Sequence, residues 1–169
     1  QGESDGVSIS HGVATVDGQT VAEAELRVSL EESTHIDATA KVHPEAMLGE
    51  GTVVDRHAII GAGVKLGRRC RVGASTVIDG DTEIGDDCKI YPFASVGLIP
   101  QDTKYHGEKT RLVVGSGNVF REGVTIHCGT AGGGGVTRIG NDNLLMAYAH
   151  VAHDCIVGNN VVVANNVPL

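Results

Sequence analysis

From Ile36 to Val96 an aliphatic side chain falls on every sixth position: Ile36, Val42, Leu48, Val54, Ile60, Leu66, Val72, Ile78, Ile84, Ile90 and Val96. The next residue is usually Gly, as at Gly49, Gly61, Gly67, Gly73, Gly85 and Gly97, or a turn-friendly Asp, as at Asp37, Asp55 and Asp79. Two residues ahead of the aliphatic one the side chain is mostly small: Ala40, Ala46, Thr52, Ala58, Cys70, Thr76, Cys88, Ala94. A period of six suits neither an amphipathic helix nor simple strand alternation. It suits a short strand and a turn, repeated, with the aliphatic and the small residue pointing inward. Three such units close a triangular coil, and stacked coils pair strand to strand at about 4.8 Å. The same register resumes at Val114, Phe120 and Ile126, and again at Ile139, Leu145, Val151, Val157, Val163 and Leu169.

Residues 1–32 do not keep this period. HGVATVDGQTVAEAELRVSL reads as two strands joined at Asp17-Gly18, a strong hairpin signal. The second strand alternates Ala22, Ala24, Leu26, Val28 and Leu30 with Glu23, Glu25, Arg27 and Ser29. The expected organisation is a hairpin over 1–32, a linker at Glu31 to Thr34, and a solenoid over 33–169.

Two interruptions break the solenoid, and such repeats extrude loops where function has been added. After Val96 comes GLIPQDTKYHGEKTRL, with Asp102 and Glu108 where aliphatics belong. If twelve residues loop out, Val114 takes the face after Val96, Phe120 the third, and Ile126 returns to the first. After Ile126, HCGTAGGGGVTR adds seven residues, which places Ile139 and Leu145 on the next two faces and Val151 back on the first. Val96, Ile126 and Val151 should therefore stack. Asp102 and Lys104 leave from that face, His127 follows Ile126, and His150 and His153 flank Val151.

Composition narrows the partners. A formal net charge of −8, from 21 acidic and 13 basic side chains, argues against nucleic acid. No apolar run approaches the roughly 18 residues of a membrane span, and QGESDGVSIS lacks the layout of a secretory signal. Cys70, Cys88, Cys128 and Cys155 show no CxxC spacing, so a reducing cytoplasm is the economical compartment. Cys70 and Cys88 lie one coil apart at the small inward position and read as stacked core thiols; Cys155 reads the same way.

Each candidate has a bland reading beside the functional one. His35, His43 and His57 sit on regular coils and read as surface residues. The glycines 132–135 read as a flexible loop. Asp102 and Lys104 taken singly are ordinary solvated loop charges, and His127 and His150 fit a structural or a functional role equally. His153 stands out, because Asp154 adjoins it and no repeat rule requires either residue. An imidazole moves protons near neutral pH, and a carboxylate can fix its tautomer and stabilise the imidazolium. No Ser or Cys has an evident nucleophile setting, so the pattern favours a His that activates a substrate hydroxyl directly.

The hexapeptide pattern resembles the left-handed parallel β-helix family. More specifically, IYPFASVG, PQDTKYHGE, VTIHCGT and GGGGVTRIGNDNLLMAYAHVAHDCIVGNNVVVANN resemble the UDP-N-acetylglucosamine O-acyltransferases that begin lipid A synthesis. The resemblance implies an all-β, left-handed β-helix and a cytoplasmic homotrimer with its site between subunits and no metal or cofactor. It implies His153 as general base on the sugar 3-hydroxyl, Asp154 as its support, and a 3-hydroxyacyl-acyl carrier protein as donor. Gln101, Asp102 and Lys104 would contact the sugar nucleotide, with His127 and His150 lining the same cleft. Cys128 stands where the family usually has Arg, which implies a lost phosphate or carrier contact. The last residue, Leu169, falls at an inward position in mid-solenoid, so an incomplete acyl groove, weak or no turnover and no helical C-terminal domain are expected of this stretch. Residues 7–30 resemble the end of a 3-hydroxyacyl-carrier-protein dehydratase, without its catalytic residues.

Three other readings remain. The related N-acyltransferase also carries a base-like His in a solenoid, but the QDTKY loop and NLLMAYAH run favour the O-acyltransferase. A γ-class carbonic anhydrase would need His127, His150 and His153 to converge on zinc. A structural or ice-binding solenoid would want a flat Thr ladder, which is missing.

Overall fold

The computed structural model describes residues 7–29 and 33–169. The chain forms two compact units, Gln1–Glu32 and Ser33–Leu169. Leu30 and Glu31, the expected end of the second strand and start of the linker, lie outside the described residues.

The first unit is an antiparallel hairpin, Val7–Val16 paired with Gln19–Ser29. Asp17 (φ 53°) and Gly18 (φ 76°) form its turn, both left-handed as a tight hairpin connection requires. The register shifts once, between Ala14 and Thr15.

The second unit is the parallel solenoid that the six-residue period predicts, a left-handed β-helix as the family resemblance implies. Its strands are two to four residues long and stack into three parallel sheets of six, six and seven strands. Face one runs from Lys41–Val42 to Thr125–His127 and His150–Val151. Face two runs from Met47–Leu48 to Val136–Ile139 and Ile156–Val157, and face three from His35–Ile36 to Val162–Val163. Every aliphatic residue of the period from Val54 to Val163, with Phe120 among them, is buried. Ile36 and Leu169, in the first and last of the coils described, are 44% and 43% exposed.

The small inward residues do more than save space. At one corner Thr52, Cys70, Cys88, Asn118 and Asn143 form a polar column, all at most 1% exposed. Cys70 Sγ donates to the Gly85 carbonyl at 3.1 Å and Cys88 Sγ to that of Gly115 at 3.3 Å. Asn118 Nδ2 donates to the Gly115 and Gly140 carbonyls at 2.9 and 2.8 Å, and its Oδ1 accepts from Asn143 N–H at 3.0 Å. Asn143 Oδ1 in turn accepts from Val161 N–H at 2.7 Å. Buried backbone groups of the turns thereby find the partners that burial demands. Both thiols are free, and the Cys70 contact together with burial holds the Cys88 thiol well above its ordinary range.

Both excursions leave the stacking intact. Val96 pairs with Ile126 and Ile126 with Val151 on face one. Ile84, Val114 and Ile139 follow one another on face two, and Ile90, Phe120 and Leu145 on face three. The strand Ser95–Leu98, from which the QDTKY segment departs, meets Thr125–His127 with Leu98 opposite His127.

Candidate active site

The second excursion and the following coil build a compact cluster at the end of face one. His127, at the edge of its strand, is 6% exposed. Its ring stands edge-to-face against that of His150 one coil on, with centroids 5.0 Å apart. Thr125, the outward residue beneath His150, holds His150 Nδ1 through its hydroxyl at 2.7 Å. Burial first, then the repulsion that His150 and His153 would exert when protonated, pushes the His127 imidazole below its ordinary value. His127 is therefore a neutral ring near pH 7, and its buried Nδ1 makes no hydrogen bond.

His153 and Asp154 sit on the corner between faces one and two. Asp154 is left-handed (φ 65°), a conformation that Asp tolerates better than most residues. The turn is pinned by Asp154 N–H donating to Thr137 Oγ1 at 2.9 Å. It brings the Asp154 carboxylate back onto its neighbour, with His153 Nδ1 2.8 Å from Oδ2. Burial alone would raise the Asp154 pKa, but hydrogen bonds from the Thr130 hydroxyl and amide and from His153 outweigh it and hold the group below the ordinary carboxylate range. An ionised carboxylate only accepts, so the His153 ring proton belongs on Nδ1 and the Nε2 lone pair is free.

Thr130 reaches Asp154 from 24 residues upstream: its N–H donates to Oδ1 at 2.7 Å and its hydroxyl to Oδ2 at 2.6 Å. The glycine run is thus no slack loop, contrary to the sequence expectation. Ala131–Gly133 forms a 3-10 turn capped by Thr130, and a Cβ on Gly133 would run into the Asp154 carboxylate. Thr125, Thr130, Gly133 and Thr137 are the contributors that sequence reasoning missed.

Gln101, Asp102 and Lys104 stand differently. Asp102 Oδ1 accepts from Lys104 N–H at 2.9 Å and its carbonyl from Tyr105 N–H at 3.0 Å, a self-contained turn. The loop starts beside His127, yet among the described residues none of the three is hydrogen-bonded to a histidine of the cluster. Beneath the loop lies a cleft of about 370 Å³ walled by Gly97, Ile99, Tyr105, Lys109 and Cys128, and by none of the three histidines. Cys128 donates to the Gly97 carbonyl at 3.1 Å, and burial pushes its thiol up to about 11, so it presents no charge near pH 7. Among the described residues, no three His, Cys, Asp or Glu side chains converge in the manner of a metal site. The Nδ1 atoms of His150 and His153 are already engaged by Thr125 and Asp154.

Residues 46–80, 63–97 and 136–167 match the bacterial transferase hexapeptide (six repeats) family. Among solved structures, a UDP-N-acetylglucosamine acyltransferase is 42% identical over 79% of this chain and 51% of its own, with a TM-score of 0.78. The O-acyltransferase from Moraxella catarrhalis RH4 is 42% identical over 79% of this chain and 52% of its own, with a TM-score of 0.76. The acyltransferase from Bacteroides fragilis 9343 is 40% identical with the same two coverages and a TM-score of 0.76. The chain spans about half the length of these structures. By its repeats and its coils the chain is a hexapeptide-repeat protein, similar over most of its length to UDP-N-acetylglucosamine acyltransferases.

Proposed function

We propose that this chain carries the reaction centre of an O-acyltransferase acting on UDP-N-acetylglucosamine, in the first step of lipid A synthesis. His153 Nε2 accepts the proton of the sugar 3-hydroxyl as that oxygen attacks the thioester of a 3-hydroxyacyl-acyl carrier protein. A sugar hydroxyl is a weak nucleophile until its proton is drawn off in the transition state, and a thiolate leaves readily, so one positioned base is enough without a covalent acyl-enzyme. Asp154 keeps the proton on Nδ1 and stabilises the imidazolium that forms. His127 and His150 line the sugar pocket. Gln101, Asp102 and Lys104 contribute to sugar-nucleotide binding from the loop, reaching the histidines across the contact between protomers of a cytoplasmic homotrimer.

The observation that carries this reading is the His153–Asp154 contact, built on an excursion that the solenoid does not need for its core. The similarity to three solved acyltransferases supports the substrate class. The test is transfer from a 3-hydroxyacyl-carrier protein to UDP-N-acetylglucosamine, followed for the parent chain and its His153→Ala variant. Transfer that vanishes with the imidazole supports the assignment. Transfer undiminished by the substitution removes His153 as the base.

A further inference from the structure

The tightest polar contacts around the cluster belong to a residue that touches no histidine. Thr130 presents two donors to one carboxylate: its amide to Asp154 Oδ1 at 2.7 Å and its hydroxyl to Oδ2 at 2.6 Å. The direction of that hydroxyl hydrogen is itself fixed, because Thr130 Oγ1 accepts from Gly133 N–H at 3.2 Å. The turn closes with Gly135 N–H donating to the Thr130 carbonyl at 2.7 Å. Gly134 (φ 100°) and Gly135 (φ 81°) take the left-handed backbone that brings the chain round. Gly133 lies so close to the carboxylate that no side chain fits there. Any rotation of the Asp154 carboxylate breaks both Thr130 bonds, so Oδ2 has one orientation to offer His153 Nδ1.

We propose that Thr130 is a positioning residue for the base: held by the Gly133–Gly135 turn, it fixes the Asp154 carboxylate so that His153 carries its proton on Nδ1 and bares Nε2. The proposal rests on the reading of His153 as the base. The groups facing His153 and Asp154 are His127 and His150 from face one and the neutral hydroxyls of Thr130 and Thr137. Asp154 is thus the carboxylate that sets the tautomer, and Thr130 is its principal anchor. Thr130 is 9% exposed, and its hydroxyl has both its donor and its acceptor role used within the turn.

The experiment follows the His153 ring nitrogens by NMR through a pH titration of the ¹⁵N-labelled chain, beside Thr130→Val, Thr130→Ser and Gly133→Ala. Wild type and Thr130→Ser are expected to show one Nδ1–H tautomer above the titration midpoint. Thr130→Val, which keeps the amide donor and loses the hydroxyl, is expected to show mixed tautomers and a displaced midpoint. Gly133→Ala keeps the hydroxyl but pushes on the carboxylate, and gives the same signature even if the valine variant folds poorly. In acyl transfer, Thr130→Val should lower kcat on the order of tenfold with KM little changed, and Thr130→Ser should restore it. A His153 tautomer and midpoint identical in wild type and both perturbing variants overturns the proposal, as does a serine variant indistinguishable from valine. Wild-type transfer that survives His153→Ala would count against the acyltransferase reading, while the nitrogen shifts still decide the role of Thr130.

Discussion

Replacing Asp154 by Asn changes one oxygen to an amide and nothing in shape, so its effect isolates the proton on His153. The variant's Oδ1 can still accept the Thr130 amide, which lies 2.7 Å from it in the wild type. The new NH2 stands where Oδ2 took hydrogen bonds from Thr130 and from His153, at 2.6 and 2.8 Å. An amide nitrogen donates only, so His153 Nδ1 must become an acceptor and its hydrogen must move to Nε2. The atom meant to take the sugar proton is then already protonated. In serine proteases the equivalent wrong-tautomer substitution lowers kcat by about 10⁴. Here His153 and Asp154 are 34% and 18% exposed, so water can restore part of the productive tautomer. The expected loss is about 10²–10³ in kcat, or about 3–4 kcal/mol of transition-state stabilisation. Initial-rate transfer assays measure it, and ring-nitrogen NMR checks the cause. Near-wild-type turnover with the hydrogen still on Nδ1 would show that Asp154 does not govern the tautomer.

Asn118→Ala should lower stability by about 3–5 kcal/mol, read as a fall in denaturant midpoint at unchanged m-value. It strips donors from the Gly115 and Gly140 carbonyls and an acceptor from Asn143 at a fully buried position. Stability should fall on acidification in two windows. His127 binds its proton less readily folded than unfolded, so the folded state loses ground as pH drops below about 6.5. Asp154 is the opposite charge type with a lowered folded pKa; its contribution is present above the ordinary carboxylate value and lost as pH falls through the folded one. Denaturation series at several pH values should show the first window flatten in His127→Phe and the second in Asp154→Asn.

The stack was legible because its physics is periodic. One inward aliphatic per strand and one turn residue after it are enough to assign faces, and they carry Val96, Ile126 and Val151 into one column across both excursions. The contact between His153 and Asp154 was legible because the two are adjacent and break the pattern together. Thr130 was not, since its role depends on a corner folding back over 24 residues, and threonine in a turn has no signature of its own. The glycines 132–135 misled for a related reason. Composition reads a glycine run as freedom, whereas Gly133 is glycine because a carboxylate occupies the space of its Cβ. A glycine run opposite an Asp one coil later is the signal that could have found it. Gln101, Asp102 and Lys104 were singled out from the same loop logic, and within one chain that loop bonds mainly to itself.

The inner polar column changes character along the molecule. Its middle rungs are thiols, Cys70 and Cys88, which only donate, and weakly, to turn carbonyls. Its last two rungs are amides, Asn118 and Asn143, which both give and receive. Each amide stands one strand ahead of a clustered histidine, Asn118 before His127 and Asn143 before His150. The amide rungs therefore tie together the two coils that carry His127 and His150, and they do so from the corner ahead of face three, so the bracing is separate from the cluster itself.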